Sequence, residues 1–283
     1  GAIGIEFAYF YNSMGTDVTL IEYMPNIAPI EDEDISKELQ KSLKKKGIKI
    51  YTSSEVIAVN KNTKSVIATV KDKEGDKNIE SEILLSAVGI KSNIEDIGLE
   101  EVGIATDKDK ILIDKYYNTN IPGYYAIGDV VSGPALAHVA SAEGILCVEK
   151  ISGHDVQPID YGNIPGCTYC HPEISSVGLT EKQAIEHGYE IKVGKFPFSA
   201  SGKASASGNK EGFVKVIFDK KYGEWLGCHM IGAGVTDMIA EAVLGRKLET
   251  TGMEVLKAIH PHPTMSEAVM EAVADAYDEV IHL

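Results

Sequence analysis

Cysteine is scarce in this sequence, with four residues among 283, too few for a disulfide framework. The scarcity indicates a reducing compartment, and we expect a cytoplasmic location. Cys167 and Cys170 form a C-x-x-C pair, but a zinc site needs about four ligands and there is no second pair. Pro172 follows in an extended stretch, unlike the helix start of a thioredoxin-like motif. We therefore predict no metal site and interpret both as ordinary thiols.

Long apolar runs and an excess of basic residues are also lacking. No run approaches the ~20 residues that cross a bilayer, and no signal peptide opens the sequence. The formal net charge is −15, which anionic phosphates would repel, so we expect neither a nucleic-acid nor a membrane partner. We interpret the acidity as an aid to solubility, with docking onto a basic partner surface as the alternative.

Residues 1–51 alternate between helical and strand patterns. The first predicted helix ends at Gly15 and has an apolar stripe of Ile3, Phe7, Phe10 and Met14. Residues 18–21 form a predicted buried strand that ends at Glu22. A second helix, capped by Asp32 or Asp34, has a stripe of Ile35, Leu39 and Leu43, and a strand follows at 48–51. The order predicts an α/β nucleotide-binding (Rossmann-like) part.

The pattern then changes to short strands. An antiparallel meander is predicted at 56–59, 65–71 and 77–79, followed by a strand at 83–88 buried on both faces. A polar linker, another buried strand and a helix are predicted at 90–114, 124–127 and 136–150. Strands at 175–178, 191–198, 212–219 and 224–231 and helices at 180–187, 235–244, 252–257 and 265–277 predict an α+β domain. We expect domains at 1–92, 93–159 and 160–283.

Gly1 and Gly4 open the first helix, and an acid at a strand end follows at Glu22, close to the separation of about 20 residues in dinucleotide-binding fingerprints. The helix start offers N–H groups and a positive dipole end to phosphates, and Glu22 can accept hydrogen bonds from a ribose diol. These features favour NAD over NADP. Simple packing of the helix is the alternative interpretation.

The fingerprint also needs a strand before its first glycine, and nothing precedes Gly1. We therefore expect a fragment that lacks the first strand of its nucleotide-binding sheet.

Two further motifs place polar side chains at element ends. Gly128-Asp129 follows a predicted strand and can place a carboxylate on a sugar-chain hydroxyl, although an Asp that caps its own loop is the alternative. Near the end, His262 precedes Glu267 by five residues, at the start of a helix. A carboxylate that folds back onto an imidazole is typical of a general acid or base, with a capping His-Pro loop as the alternative.

Together these motifs resemble the pyridine nucleotide–disulfide oxidoreductases, and among them most closely the dihydrolipoamide dehydrogenases. The motifs occur along the whole chain in the family's order: Gly1-Ala2-Ile3-Gly4-Ile5-Glu6, Ala87-Val88-Gly89, Ala126-Ile127-Gly128-Asp129, Leu136-Ala137-His138, Glu143-Gly144, Tyr169, His171-Pro172-Glu173 and His262-Pro263-Thr264-Met265-Ser266-Glu267.

The resemblance implies cofactors and residue roles. NAD would be bound by Gly1, Ala2, Ile3, Gly4, Glu6, Glu22, Val56 and Gly89. FAD would contact Asp129, Ala135, Leu136, Ala137 and His138. His262 would deprotonate a dithiol in the other subunit of a homodimer, oriented by Glu267, and residues from about 160 onward would form the interface.

The implied activity is NAD-dependent oxidation of protein-bound dihydrolipoamide, with the lipoyl domain or E2 core of a 2-oxo-acid dehydrogenase or glycine-cleavage complex as partner. The family's C-x-x-x-x-C pair is missing, so we expect this chain to be inactive alone. A glutathione-reductase-like enzyme is less favoured, because NADP calls for arginines after the second strand. Mercuric reductases end in a cysteine pair, unlike this chain. An NADH oxidase, a non-catalytic dimerisation module and an NAD-binding regulatory domain remain alternatives.

Overall fold

The computed structural model describes residues 1–283, which divide into two compact units. The larger unit comprises Gly1–Val88 together with Pro165–Leu283, and the smaller unit comprises Gly89–Ile164. The predicted division into three domains stays a prediction. None of the helices is long and apolar enough to span a membrane.

Nine helices and twelve strands make up the two units. The helices are α1 (Ala2–Ser13), α2 (Glu33–Lys45), α3 (Leu99–Val102), α4 (Ala137–Ile151), α5 (Glu181–Glu186), α6 (Gly202–Ser207), α7 (Val235–Lys247), α8 (Gly252–Lys257) and α9 (Glu267–Ala276). The strands are β1 (Thr19–Ile21), β2 (Lys49–Tyr51), β3 (Glu55–Lys61), β4 (Val66–Asp72), β5 (Gly75–Ser81), β6 (Thr106–Asp107), β7 (Lys110–Ile111), β8 (Gly166–Thr168), β9 (Glu173–Gly178), β10 (Ile191–Pro197), β11 (Phe213–Asp219) and β12 (Trp225–Gly232).

The first part of the larger unit has the predicted α/β order with an antiparallel meander. Strands β1 and β2 pair in parallel, and β3, β4 and β5 form a three-stranded antiparallel sheet. The Asp32 side chain caps α2 by accepting a hydrogen bond from the Asp34 N–H at 3.0 Å. The apolar stripe of α2 is fully buried, so both the cap and the stripe are confirmed.

Two expectations for this part were wrong. Residues 83–88 form no strand, and Val88 is 96% exposed, because β1 and β2 pair only with each other and offer these residues no partner. On α1 the predicted stripe is exposed, with Met14 at 71%, and Ile5 and Ala8 are buried instead. Apolar residues lie on several faces of α1, so periodicity alone does not select the face that packs.

The smaller unit is less regular than predicted. The expected strand at 124–127 reduces to one bridge between Asn118 and Tyr125. The expected linker contributes to a small core instead, because its few apolar side chains pack against apolar residues that follow the linker in the sequence. That core contains Ile94, Leu99, Ile111, Ala126 and Val131. The predicted helix at 136–150 is confirmed as α4.

The last part of the larger unit is the predicted α+β domain. Its five-stranded antiparallel sheet has the order β10–β11–β12–β9–β8. Helix α9 lies against β10 and β11, and it approaches the sheet closely at Gly194. A Cβ atom on Gly194 would lie 1.9 Å from the Ala272 carbonyl oxygen, so only glycine allows this helix position.

A buried lysine joins the two parts of the larger unit. The Lys215 Nζ on β11 lies 2.8 Å from Asp32 and 3.1 Å from Asp34 at the start of α2, and 2.7 Å from Glu181. The Lys215 side chain is only 3% exposed. Burial acts to raise the pKa of Asp32, but the hydrogen bond from Lys215 and nearby positive charge outweigh it and hold that pKa below its ordinary value.

We predict that Lys215→Met destabilises the larger unit by about 3–5 kcal/mol, because it leaves buried carboxylates without their cation. Urea unfolding followed by circular dichroism measures the change. Lys220→Met is the matched control, since Lys220 pairs with Glu190 at 3.5 Å on the surface and should contribute far less. Equal unfolding midpoints for the two variants would contradict this role for Lys215.

The same ion pair predicts the pH dependence of stability. A carboxylate whose folded pKa is depressed stabilises the fold above its unfolded pKa, and that contribution is lost as the pH falls through the folded value. Wild-type stability should therefore fall on acidification below about pH 4, and Lys215→Met should show a smaller fall over the same range.

Candidate functional site

The start of α1 and the end of β1 lie side by side, as the fingerprint requires. Gly1 is the N-cap residue of α1, and its amino nitrogen lies 3.3 Å from Glu22 Oε2. The other Glu22 carboxylate oxygen accepts the Met24 N–H at 2.9 Å, which fixes the side chain. Neither a side-chain cap nor an acidic residue occupies the first turn of α1, so the turn can receive an anion.

The other predicted NAD-site residues lie in different environments. A Cβ atom added to Gly4 would meet the Ala87 side chain at an ordinary contact distance. Glycine is therefore not required at this position for the packing. Val56 lies on the exposed strand β3. This strand begins just after Ser54, and the Ser54 N–H donates a hydrogen bond to the Glu22 carbonyl. Gly89, in the smaller unit, has a φ of +143°, a conformation that favours glycine.

Glu6 makes a contact that the sequence did not indicate. Its Oε1 accepts the backbone N–H of Tyr169 at 2.8 Å, which links α1 to the end of β8. Glu6 is therefore engaged in the packing of the larger unit as well as being a predicted cofactor residue.

The second cofactor motif is assembled within the smaller unit. Asp129 lies in a short 3-10 helix, Gly128–Val130, and is exposed. Its carbonyl oxygen accepts hydrogen bonds from Ser92 Oγ at 2.6 Å and Lys110 Nζ at 2.7 Å. Ala135 and Leu136 precede α4, and Ala137 and His138 are its first residues. Helix α4 packs on the 3-10 helix that contains Asp129. The two parts of the second cofactor motif are therefore in contact within the smaller unit.

Glu143 holds this arrangement together, although the sequence showed it only as part of a motif. Its carboxylate is 1% exposed, and its two oxygens accept the Gly128 N–H and the Tyr161 hydroxyl, each at 2.6 Å. Tyr161 also lies 3.1 Å from the Tyr117 hydroxyl. Burial and the Glu143 carboxylate both raise the pKa of Tyr161, so its proton stays in this network.

The predicted contact between His262 and Glu267 is confirmed. His262 Nδ1 lies 2.8 Å from Glu267 Oε1, and Glu267 Oε2 accepts the Thr264 N–H at 2.8 Å. Burial acts to raise the pKa of Glu267, but the Thr264 N–H and His262 outweigh it and lower that pKa. In the tautomer that donates Nδ1–H to this carboxylate, Nε2 is the acceptor. The His262 side chain is 78% exposed, so Nε2 is accessible.

A second histidine–carboxylate pair lies on the same loop and was missed. His260 Nε2 lies 2.7 Å from Glu241 Oε1 on α7, and the His260 side chain is 8% exposed. The partners are 19 residues apart, so no local pattern marks them.

Cys167 and Cys170 lie in different apolar clusters and are free thiols. The Cys170 thiol donates to the Pro172 carbonyl at 3.1 Å, and burial raises its pKa to about 12. A buried thiol of this kind is a poor nucleophile, which supports the interpretation as packing residues. No group of three His, Cys, Asp or Glu side chains is arranged to hold a metal ion.

Sequence comparisons extend over both parts of the larger unit and over the smaller unit. The profile of the pyridine nucleotide-disulphide oxidoreductases matches residues 1–144, and that of the family's dimerisation domain matches residues 164–273. A dihydrolipoyl dehydrogenase of Rhizobium etli is 52% identical over the whole chain, and one of Bacillus subtilis is 45% identical. The chain covers 59% and 60% of these two relatives, respectively.

Solved structures have the same fold. The flavoprotein disulfide reductase RclA of Escherichia coli, described as HOCl-induced, superposes with a TM-score of 0.88 over 97% of this chain and 62% of its own, at 25% identity. LpdA of Mycobacterium tuberculosis also superposes with a TM-score of 0.88, over 96% of this chain and 59% of its own, at 24% identity. With two family profiles matched in order, the chain belongs to the pyridine nucleotide–disulphide oxidoreductase family.

Proposed function

We propose that this chain is the NAD-binding and dimerisation part of a dihydrolipoyl dehydrogenase, which oxidises protein-bound dihydrolipoamide with NAD. The observation that carries the proposal is the accessible imidazole of His262, held by Glu267, in a chain that is 52% identical to such an enzyme. The redox cysteine pair of the family is not in this sequence, so we infer that the chain alone is inactive.

The first site fits NAD in its donors and acceptors. The first turn of α1, formed by Gly1, Ala2, Ile3 and Gly4, would receive the pyrophosphate, and the adjacent Glu22 carboxylate would accept hydrogen bonds from the adenosine ribose diol. The same carboxylate would repel the 2′-phosphate of NADP. Glu6 and Val56 are the other proposed NAD residues of the larger unit, and the family resemblance adds Gly89 of the smaller unit.

The second site fits one part of FAD. The exposed Asp129 carboxylate would hold a hydroxyl of the ribityl chain, and the backbone from Ala135 to His138 would face the flavin ring. Bound FAD would pass electrons between a redox disulfide and NAD. Glu143 would keep the Gly128-Asp129 turn in place through its hydrogen bond to Gly128.

His262 would act as the base toward the dithiol substrate. Its Nε2 would accept a proton from a thiol of dihydrolipoamide, and Glu267 would stabilise the resulting imidazolium through the Nδ1 proton. We infer that the imidazole serves the active site of the other subunit in a homodimer. Its exposure on the larger unit and the match to the dimerisation domain support this arrangement.

The proposed partners are a second copy of the chain and the lipoyl domain or E2 core of a 2-oxo-acid dehydrogenase complex. A cytoplasmic location is supported by the four free thiols, which fit a reducing compartment.

A non-catalytic dimerisation module is the second candidate for the chain by itself. It is supported by the match to a dimerisation domain in a chain that spans about 60% of its relatives. Gel filtration combined with an NAD titration separates the candidates. A dimer without nucleotide binding supports the module, whereas saturable NAD binding supports the NAD-binding part of the enzyme.

We predict that His262→Gln in the full-length protein slows oxidation of dihydrolipoamide by about 10²–10⁴-fold, because glutamine cannot accept the thiol proton. Flavin content should not change. Steady-state kinetics and the flavin absorbance measure the two quantities. His187→Gln, at an exposed histidine at the end of α5, is the control and should retain full activity. Normal turnover by His262→Gln would remove this histidine from the mechanism.

We predict that Glu143→Ala weakens FAD binding by the full-length protein by roughly 5- to 150-fold. The substitution leaves the Gly128 N–H and the Tyr161 hydroxyl without their acceptor, which costs about 1–3 kcal/mol. Fluorescence titration of the apoprotein with FAD measures the affinity. Glu149→Ala, on the exposed face of the same helix, is the control. Unchanged FAD affinity in a folded Glu143→Ala protein would show that the turn does not depend on this carboxylate.

A further inference from the structure

The loop between α8 and α9 presents two histidines in opposite ways. His262 is 78% exposed, whereas the His260 side chain, two residues earlier, is 8% exposed. Ile259, which lies between α8 and His260, is 99% exposed. Burial of the His260 side chain is therefore not a general property of the loop. One imidazole is therefore held inside the unit while the other is presented at its surface.

The partners of His260 determine its protonation state. His260 Nε2 lies 2.7 Å from the Glu241 carboxylate, and Nδ1 lies 3.2 Å from the carbonyl oxygen of Ala258. Both partners are acceptors, so the ring makes both hydrogen bonds only when both nitrogens carry a proton. His262 is different, since a single carboxylate contacts one of its nitrogens.

The charges around His260 support the protonated form. The hydrogen bond with Glu241 raises the pKa of His260, burial opposes this rise, and the negative charges of Glu241 on α7 and Glu267 on α9 add to it. Glu241 lies within α7, and Glu267 is the first residue of α9. The net effect is a pKa above the ordinary value of histidine.

Helix α7 gives the pair a firm anchor. It packs against β9 and β12, and its residues Val235, Met238, Ile239 and Ala242 are buried. At the other end of the contact, Ala258 is the C-cap residue of α8. A protonated His260 thus ties the loop to α7 on one side and to the end of α8 on the other.

We propose that His260 is a positioning residue: as a buried imidazolium bonded to Glu241 and Ala258, it fixes the loop that presents His262. This inference rests on the proposed function, in which His262 is the base. The protonated ring of His260 anchors the loop, and the ring of His262 presents Nε2 for proton transfer.

The sign of the pH effect follows from the charge. A histidine whose folded pKa is raised stabilises its contacts fully below the unfolded value of about 6.5, and this contribution is lost as the pH rises through the folded value. The loop should therefore loosen on the alkaline side. Turnover should fall there because His262 is no longer held in place.

The protonation state can be measured in the 283-residue chain itself. Nitrogen NMR of histidine-labelled protein, with His260 assigned by its loss in His260→Gln, should show both ring nitrogens protonated up to a midpoint above ~6.5. Glu241→Gln should lower the His260 midpoint. A His260 midpoint at or below ~6.5, or one that Glu241→Gln does not change, would overturn the proposal.

The functional consequence is tested in the full-length enzyme. His260→Gln and Glu241→Gln should lower kcat for dihydrolipoamide by about tenfold or more. Reduction of the bound flavin by NADH, which needs no thiol base, should keep its rate. Glu241→Gln should also move the alkaline fall in kcat to lower pH, which a purely structural loss would not do.

The outcomes separate this proposal from the function on which it rests. Suppose that His262→Gln is inactive toward dihydrolipoamide, but His260→Gln and Glu241→Gln keep the wild-type kcat and its fall at alkaline pH. The proposed role of His260 is then wrong, and the proposed function stands. If His262→Gln is fully active, the assignment of the base fails, while the NMR titration still decides the charge of His260.

Discussion

The position of α9 on the five-stranded sheet is the constraint on which the candidate catalytic site depends. The helix packs on β10 and β11 through a buried face, and the absence of a side chain at Gly194 allows the close approach. Glu267 is the first residue of this helix, so its carboxylate has a fixed place relative to the sheet. The orientation of His262 follows, because its Nδ1 is bonded to that carboxylate.

Charged side chains join elements elsewhere in the molecule. The buried Lys215 joins α2 to the sheet, the buried Glu143 joins α4 to the Gly128-Asp129 turn, and the partly exposed Glu241 holds the loop through the buried side chain of His260. Each charge is satisfied by several partners or by a short contact, which is the condition under which burial of a charge is tolerated. Within each unit, these contacts hold the elements that carry the proposed site residues.

The sequence predicted those features whose physical cause is local. The cap and stripe of α2 follow from residues within three turns, and the His262–Glu267 contact joins residues five positions apart. The ties from Lys215 to Asp32, from Tyr161 to Glu143 and from His260 to Glu241 span 183, 18 and 19 residues, and no periodicity marks such partners. The predictions of the buried face of α1 and of a strand at 83–88 were wrong for a related reason. Apolar periodicity shows which residues can be buried, but burial also requires a neighbouring element.

The central claim is that His262 takes a proton from a thiol in the active site of the neighbouring subunit. Mixed dimers test it most directly. One subunit carries His262→Gln, and the other has its redox cysteines replaced, so that each homodimer is inactive toward dihydrolipoamide. If His262 acts across the interface, the mixed dimer contains one intact site and should recover about half of the wild-type activity per dimer, since the two sites of an isologous dimer are equivalent. Mixed dimers that stay as inactive as the parent homodimers would contradict the account.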